Sequence, residues 1–225
     1  MNAGGFLYRL PKVGRFDLVI FDCDGVLVDS ERLAVRTEAE ILLGLGWPLT
    51  ETEIVERFVG RSETYMRQVV EDHLGRPVDW ETEFEARYEE VFTCELLPVP
   101  GVAEVVRQIT IPMCVASSGC QEKIRFLLGL TGLLDVFGER LFSVDEVANG
   151  KPAPDVFVYA AEKMGVGPGR CAVVEDSVAG VTAGLAAEMT VFAFAGGVTN
   201  AARLAIGPAI VFDDMHMLPE LLSGD

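Results

Sequence analysis

The residues best placed to do chemistry are two aspartates at the end of an apolar stretch. Asp22 and Asp24 lie within residues 16–30, which read FDLVIFDCDGVLVDS. Residues two apart in an extended chain point the same way, so both carboxylates project into one space, and Gly25 lets the backbone turn behind them. Neighbouring carboxylates repel each other unless a cation, a shared proton or solvent relieves them. The segment indicates either a reactive pair or an ordinary strand ending in an Asp-Gly turn.

Three further polar places also follow apolar stretches. Ser117 and Ser118 come after IPMCVA, Lys151 lies in NGKPAPDVF, and Glu175 and Asp176 follow CAVV. Taken singly, each has a structural explanation. Ser118 is a good helix N-cap, Lys151 resembles a solvated loop lysine, and the acidic pair suits the positive end of a helix.

The elements that must position these groups alternate between strand and helix from residue 102 onward. The predicted strands are 16–21, Ile111–Ala116, Leu141–Val144, Cys171–Val174, Val191–Ala195 and Ala209–Phe212, and the predicted helices are Val102–Ile109, Gln121–Leu130, Pro154–Met164 and Ser177–Ala187. This order predicts an α/β fold with a parallel sheet and helices on both faces. Ligands bind beyond the carboxyl ends of the strands in such a sheet, so we expect all four polar places at one edge.

Residues 31–97 differ from the rest of the chain and are predicted to be an inserted helical cap. They contain 16 acidic residues, seven arginines and no lysine. Helical patterns follow Val35 to Leu45, Thr50–Phe58 with a capping box to Glu53, Glu63–Leu74 and Glu81–Cys94. We therefore predict a core domain from residues 1–30 and 98–225, a cap domain over 31–97, and hinges at Asp29–Leu33 and Leu97–Gly101. The first 15 residues are expected to form a loose lead-in.

The composition and net charge of the chain argue against several classes of protein. The chain has 225 residues, of which 50% are hydrophobic, and its mean hydropathy is +0.31. It contains no apolar run of about 18 residues and its N-terminus lacks the apolar part of a signal peptide, so we expect a soluble cytoplasmic protein. The net charge of −17 argues against nucleic acid as a partner. The five cysteines form no CxxC pair, which favours reduced thiols.

Carboxylates are the groups left to carry catalysis. The sequence has two histidines and no GxSxG motif, which argues against a Ser-His-Asp hydrolase. A carboxylate can attack phosphorus to form an acyl phosphate, and Asp22 is our candidate nucleophile. Asp24 can protonate the leaving alkoxide and then act as a base toward water. An anionic nucleophile needs charge relief, so we expect Mg²⁺ between Asp22, the Asp24 carbonyl and Asp176.

The remaining polar groups fit the same phosphoryl chemistry. Lys151 can neutralise both the phosphoryl oxygens and Asp22. Ser117 can donate a hydrogen bond to phosphate, with Ser118 and the free N–H groups of the following helix beside it. Glu175 either joins the metal site through water or orients its neighbours. We predict metal binding by Asp22, Asp24, Glu175 and Asp176.

The motif order DxDG, Ser, Lys and ED resembles that of the haloacid dehalogenase superfamily of phosphohydrolases. The resemblance covers residues 16–212 and is carried by DCDGVLVDS, GKPAPDVF and VVEDSVAGVTAG. It implies a Rossmann-like, doubly wound core whose helical cap closes over the substrate. The most similar branch is the β-phosphoglucomutase-like one, which holds sugar-phosphate phosphatases, phosphoglycolate phosphatases and the mutase.

Departures from the family patterns favour hydrolysis of a phosphate ester. Family members that cleave carbon–halogen bonds lack the second aspartate, which is present here as Asp24. Phosphonoacetaldehyde-hydrolysing members use a cap lysine, and residues 31–97 contain none. Hexose phosphomutases carry a histidine twelve residues past the nucleophile, where this chain has Ala34.

The sequence therefore predicts a Mg²⁺-dependent phosphomonoesterase acting on a small sugar or polyol phosphate. The resemblance suggests Arg61 as a substrate contact in the cap, although it could equally balance the acidic helices at the surface. The alternatives are a phosphomutase of the β-phosphoglucomutase type and, outside enzymes, a receiver-like signalling domain phosphorylated on aspartate. We expect a small-molecule substrate, no membrane partner, and a monomer or small homo-oligomer.

Overall fold

A computed structural model describes residues 16–59 and 63–224 of the chain. Among these residues, the strands are β1 (Leu18–Phe21), β2 (Met113–Ser117), β3 (Leu141–Ser143), β4 (Cys171–Glu175), β5 (Thr190–Phe194) and β6 (Ile210–Phe212). The helices are α1 (Ser30–Gly44), α2 (Glu51–Arg57), α3 (Glu63–Leu74), α4 (Ala86–Glu95), α5 (Val102–Gln108), α6 (Gln121–Leu130), α7 (Leu134–Phe137), α8 (Asp155–Met164), α9 (Val178–Ala186), α10 (Ala201–Leu204) and α11 (Leu218–Ser223).

The strands form one parallel sheet in the order β3-β2-β1-β4-β5-β6. The chain therefore builds outward from β1 in one direction through β2 and β3, and in the other through β4, β5 and β6. Such a reversal leaves a crevice between the two central strands at their carboxyl ends, where ligands bind in doubly wound sheets. In this protein the reversal lies between β1 and β4, which pair Phe21 with Val174.

Both faces of the sheet are covered, because alternate residues of β1 point into two different apolar clusters. Val19 and Phe21 pack with residues of α5 and α6, while Leu18 and Ile20 pack with residues of α8 and α9. All four side chains of β1 are fully buried. A strand buried on both faces needs a continuous apolar sequence. The predicted α/β fold with a doubly wound parallel sheet is confirmed.

Residues 31–97, here called the cap segment, are helical and have a core of their own. A third apolar cluster contains Leu42, Ile54, Val70 and Phe84 from the helices of this segment. The two connections to the sheet run side by side, since Asp29 N donates to Leu97 O over 3.0 Å. The domain boundaries at 30/31 and 97/98 remain predictions.

The predicted elements are present, with shifted ends. The Ile111–Ala116 strand begins instead at Met113, and Pro112 before it uses its carbonyl to accept from Val19 N over 2.9 Å. The capping box of Thr50 and Glu53 is confirmed.

The helix predicted over Glu81–Cys94 is not uniform. It starts with a π-helical turn over Glu81–Glu85 and becomes α-helical only at Ala86. The short helices α7, α10 and α11 have too few residues to show a helical period and were not predicted. No helix among residues 16–59 and 63–224 is long and apolar enough to cross a membrane.

Candidate active site

The four polar places lie around one cavity at the carboxyl edge of the sheet. The cavity has a volume of about 1060 Å³ and separates the strand ends from the cap segment. Its lining includes Asp22, Ser117, Lys151, Glu175 and Asp176. Pairing of β1 with β4 continues one residue past β1, since Asp22 N donates to Val174 O over 2.9 Å. The backbone of Asp22 is thus fixed beside the end of β4.

Lys151 joins the ends of three central strands. Its Nζ lies 2.5 Å from Asp22 Oδ1, 2.7 Å from Glu175 Oε1 and 3.1 Å from the carbonyl oxygen of Ala116. The Lys151 side chain is 3% exposed. Burial opposes its charge, but the two carboxylates outweigh burial and raise the pKa of Lys151, so it stays protonated. A solvated loop lysine, the structural alternative, is therefore wrong for this residue.

The positive charge around Asp22 is too small to offset the burial of its carboxyl group, so its pKa is not that of an exposed aspartate. Burial raises its pKa to about 7; Lys151 opposes this rise, whereas Glu175 and Asp24 add to it. A buried carboxylate in this state is stabilised by any additional cation that reaches it.

Asp24 is held in place through both of its carboxylate oxygens. Ser30 Oγ donates to Oδ1 over 2.7 Å, and Lys123 Nζ donates to Oδ2 over 3.1 Å. Burial opposes ionisation of Asp24, but Lys123 and the Ser30 hydroxyl outweigh burial and lower its pKa. Asp24 is an anion in this arrangement.

Ser117 and Ser118 differ in exposure although they are neighbours. Ser117 is the last residue of β2 and 1% exposed, and its Oγ accepts from Gly119 N over 3.0 Å. The Ser117 hydroxyl hydrogen thus remains available to a ligand in the cavity. Ser118 is exposed and lines the same cavity just before α6 begins at Gln121. The N-cap residue of α6 is Cys120, so the N-cap role considered for Ser118 is wrong.

Glu175 uses both of its oxygens on protein donors. Oε1 accepts from Lys151, and Oε2 accepts from the backbone N–H and the hydroxyl of Ser177 over 2.8 and 2.9 Å. A Cβ on Gly180 would overlap this carboxylate, so the glycine makes room for it at the start of α9. These contacts leave Glu175 as the group that orients Lys151. Its predicted contribution to metal binding remains a prediction.

Asp176 is buried, and one of its oxygens has no hydrogen-bond donor. Asp176 is 1% exposed, and its Oδ2 and Glu31 Oε2 are both buried without a partner among the described residues. Burial and the facing Glu31 carboxyl raise the pKa of Asp176, and burial with Asp24 raises that of Glu31 to about 8. A Cβ on Gly25 would overlap the Asp176 carboxylate. The glycine therefore leaves Asp176 free to face the strand ends.

This arrangement fits a divalent cation. Five carboxyl groups, those of Asp22, Asp24, Glu31, Glu175 and Asp176, meet the two lysines Lys123 and Lys151. The described side chains form no ready cluster of three or more metal ligands. Mg²⁺ commonly takes only one or two carboxylates and completes its shell with backbone oxygen, water and substrate phosphate. The orphaned oxygen of Asp176 is the strongest sign of such a site.

Sequence reasoning missed two residues of this site. Glu31 comes from the first turn of α1 and Lys123 from the first turn of α6, so each depends on how a helix packs over the strand ends. The sequence signals that could have found them are the positions of Glu31, nine residues after Asp22, and of Lys123, six residues after Ser117. Arg61, the predicted substrate contact of the cap, lies outside the described residues.

Comparison with known proteins identifies the family. Residues 16–188 match the model of the haloacid dehalogenase-like hydrolases. The chain belongs to this family. One relative, the 6-phosphogluconate phosphatase of Escherichia coli (strain K12), is 32% identical over 213 residues, covering 93% of this chain and 96% of the relative.

Two solved structures of haloacid dehalogenase-like proteins have the same fold. One, of unknown function, from Agrobacterium tumefaciens str. C58, is 33% identical with a TM-score of 0.84 and covers 92% of this chain and 98% of its own. The other, a hydrolase from Deinococcus radiodurans R1 with bound phosphate and sodium, is 31% identical with a TM-score of 0.80, covering 93% and 96%.

Proposed function

We propose that this haloacid dehalogenase-like hydrolase is a phosphatase that cleaves small phosphorylated metabolites through an aspartyl phosphate on Asp22. The observation that carries the proposal is the contact of Lys151 with both Asp22 and Glu175 at the point where the strand order reverses. This contact holds Asp22 Oδ1 on the buried Lys151 ammonium and leaves Asp22 Oδ2 to attack phosphorus. The 6-phosphogluconate phosphatase relative and the phosphate bound to the Deinococcus hydrolase support the same chemistry.

In the first step the Asp22 carboxylate attacks phosphorus. A bond forms between the Asp22 oxygen and phosphorus while the bond from phosphorus to the leaving oxygen breaks. Lys151 and the Ser117 hydroxyl stabilise the charge on the phosphoryl oxygens. For this step Asp24 takes up a proton from solvent as it releases the Lys123 contact, and it gives that proton to the leaving alkoxide.

In the second step water releases the phosphate. Asp24, now a carboxylate, takes a proton from a water molecule that attacks phosphorus, and the bond to Asp22 breaks. The donors Ser30 and Lys123 hold Asp24 as an anion, which is the form this step requires. The products are inorganic phosphate and the alcohol.

The proposed metal is Mg²⁺, bound by Asp22, Asp176 and the backbone carbonyl of Asp24. When bound, it neutralises the nucleophile and the phosphoryl group so that the two anions can approach. The unpartnered Asp176 Oδ2 supports this assignment. Glu31 lies beside Asp176 and takes part by orienting it.

Hydrolysis is favoured over the mutase alternative because Ala34, a residue without a proton to exchange, lines the cavity where the related mutases carry histidine. A small sugar or polyol phosphate remains the predicted substrate, and Arg61 its predicted contact.

The test measures phosphate release from p-nitrophenyl phosphate and from sugar phosphates with Mg²⁺. Asp22→Asn and Asp24→Asn should each lower kcat by at least about a thousandfold, and EDTA should abolish turnover until Mg²⁺ is restored. Asp213→Asn, an exposed aspartate just after β6, is the matched control. A hydroxylamine-labile phosphoryl group should be trapped on the wild type and not on Asp22→Asn. Turnover that survives Asp22→Asn would exclude the mechanism.

A further inference from the structure

The cap side of the cavity is acidic and aromatic, unlike the phosphate side. The carboxyl groups of Glu38, Glu63, Glu85 and Glu89 line it from the cap segment. Among the described lining residues, the cations are Lys123 and Lys151, and both lie on the core side in ion pairs with carboxylates. The charged side chains that line the cap side are thus all carboxylates among the residues that the structure describes.

Glu38 is the buried member of this acidic wall. It lies on α1, is 9% exposed, and makes no ion pair with the described residues. Its partner is Tyr88 on α4, whose hydroxyl donates to Glu38 Oε1 over 2.8 Å. A buried carboxylate without a cation costs stability, and burial raises the pKa of Glu38 to about 7. A group this costly to the fold is expected where function requires it.

Trp80 adds an unsatisfied donor to the same cavity. Its side chain is 3% exposed and stacks on Phe84 with ring centroids 3.9 Å apart. The indole Nε1–H is buried and has no acceptor among the described residues. Buried polar groups in folded proteins are normally hydrogen-bonded, so this N–H is a candidate donor to a bound ligand.

We propose that Glu38, Tyr88 and Trp80 form a subsite for the uncharged, hydroxyl-bearing end of the substrate, and that this subsite rejects a carboxylate in the same position. The inference rests on the proposed phosphatase function and specifies its substrate class as polyol phosphates.

A hydroxyl group satisfies this set of partners. It can donate to the Glu38 carboxylate and, through its oxygen, accept from the Trp80 indole N–H, while the Tyr88 hydroxyl keeps its contact with Glu38. A carboxylate can only accept, so it would face Glu38 as a like charge in a poorly solvated place. Sites built to hydrogen-bond a hydroxyl discriminate strongly because mismatched ligands leave buried groups unpaired.

Two substrates that differ at one carbon test the subsite. Glucitol 6-phosphate carries a hydroxymethyl group at C1, where 6-phosphogluconate carries a carboxylate. At pH 8 with Mg²⁺, the wild type should favour glucitol 6-phosphate by at least about tenfold in kcat/KM. Glu38→Gln removes the negative charge and should reduce this ratio at least about fivefold, whereas Glu56→Gln, an exposed change of the same charge on α2, should leave it unaltered.

Tyr88→Phe provides a second variant that deletes one hydroxyl with little change of shape. It should lower kcat/KM for glucitol 6-phosphate more than for 6-phosphogluconate. A wild-type preference for the carboxylate, or a ratio within twofold of wild type in both folded variants, would overturn the subsite. Turnover that does not require Asp22 would instead overturn the proposed function. If turnover requires Asp22 but the ratio of the two kcat/KM values does not change in the variants, the subsite is wrong and the phosphatase function stands.

Discussion

Lys123 Nζ donates to Asp24 Oδ2 over 3.1 Å, opposite the hydroxyl of Ser30 that donates to the other oxygen. The two donors come from α6 of the core and from the first residue of α1. They fix the direction of the Asp24 carboxylate between the sheet and the cap segment. Asp24 therefore has to give up the Lys123 contact, or share it, when it carries the proton for the leaving group.

Lys123→Met should slow the hydrolysis of alkyl phosphates more than that of aryl phosphates. Without Lys123, Asp24 loses one of its two positioning contacts, and an alkoxide depends on the Asp24 proton whereas p-nitrophenolate leaves without one. We expect kcat to fall about tenfold for glucitol 6-phosphate and about two- to threefold for p-nitrophenyl phosphate. Equal losses for both would mean that Lys123 acts on the phosphoryl group. Lys163→Met, an exposed lysine on α8, is the control.

Lys151→Met should destabilise the fold as well as abolish turnover. The substitution leaves Asp22 and Glu175 buried without their cation, which typically costs about 3–5 kcal/mol. Wild-type Lys151 has a raised pKa, so its stabilisation is fully present below the ordinary lysine pKa and is lost only as the pH rises above it.

The loss of unfolding free energy in Lys151→Met should grow as the pH rises. The carboxyls left behind resist ionisation in the folded state, so the variant should lose more stability at pH 8 than at pH 5.5. Urea denaturation at the two pH values measures the difference. A pH-independent loss would show that lost packing, rather than unpaired charge, dominates.

Gly25→Ala should weaken metal binding. Gly25 has φ +74°, and its Cβ would overlap the Asp176 carboxylate, so the substitution strains the turn and displaces the proposed ligand. We expect the Mg²⁺ concentration for half-maximal activity to rise at least about tenfold, with about 1–3 kcal/mol lost in stability. Gly44→Ala is the control, because a Cβ at Gly44 meets nothing within 4 Å. An unchanged Mg²⁺ requirement in Gly25→Ala would contradict the role of Asp176.

Glu38→Gln should stabilise the protein at the same time as it damages specificity. Burial raises the pKa of Glu38 from 4.5 to about 7, so the ionised group costs the folded state about 3 kcal/mol above pH 7 and nothing below pH 4.5. Tyr88, Glu63, Glu85 and Glu89 line the same cavity. The variant should exceed the wild type by up to about 3 kcal/mol at pH 8 and by about 1 kcal/mol at pH 5.5 in urea denaturation. A destabilised variant would indicate a structural role.

The fold was predictable because its strands are short apolar stretches that end in polar residues. Asp22, Ser117 and Glu175 each follow or finish such a stretch, and parallel strands bring those ends to one edge. That rule needs no knowledge of how helices pack, so the edge could be located from the sequence.

The groups that surround this edge could not be predicted in the same way. Glu31, Glu38 and Lys123 lie on helices, and their burial depends on the distance and rotation of α1 and α6 over the sheet. A helical pattern shows which residues share a face, but it does not show which distant strand that face covers. The partners of the two Glu175 oxygens could not be predicted for the same reason, since Lys151 reaches one of them from a separate loop.

The paired connections between sheet and cap segment have a consequence for how such proteins diversify. Asp29 N donates to Leu97 O, Val99 N donates to Leu27 O, and Val28 forms an antiparallel bridge with Pro98. The chain thus leaves the sheet and returns to it at adjacent points. A helical insert whose two ends lie equally close could therefore take this place without altering the strand order. We therefore expect that grafting residues 32–97 from a relative would change substrate preference, while Asp22, Lys151 and Asp176 stay with the recipient sheet and keep the reaction chemistry.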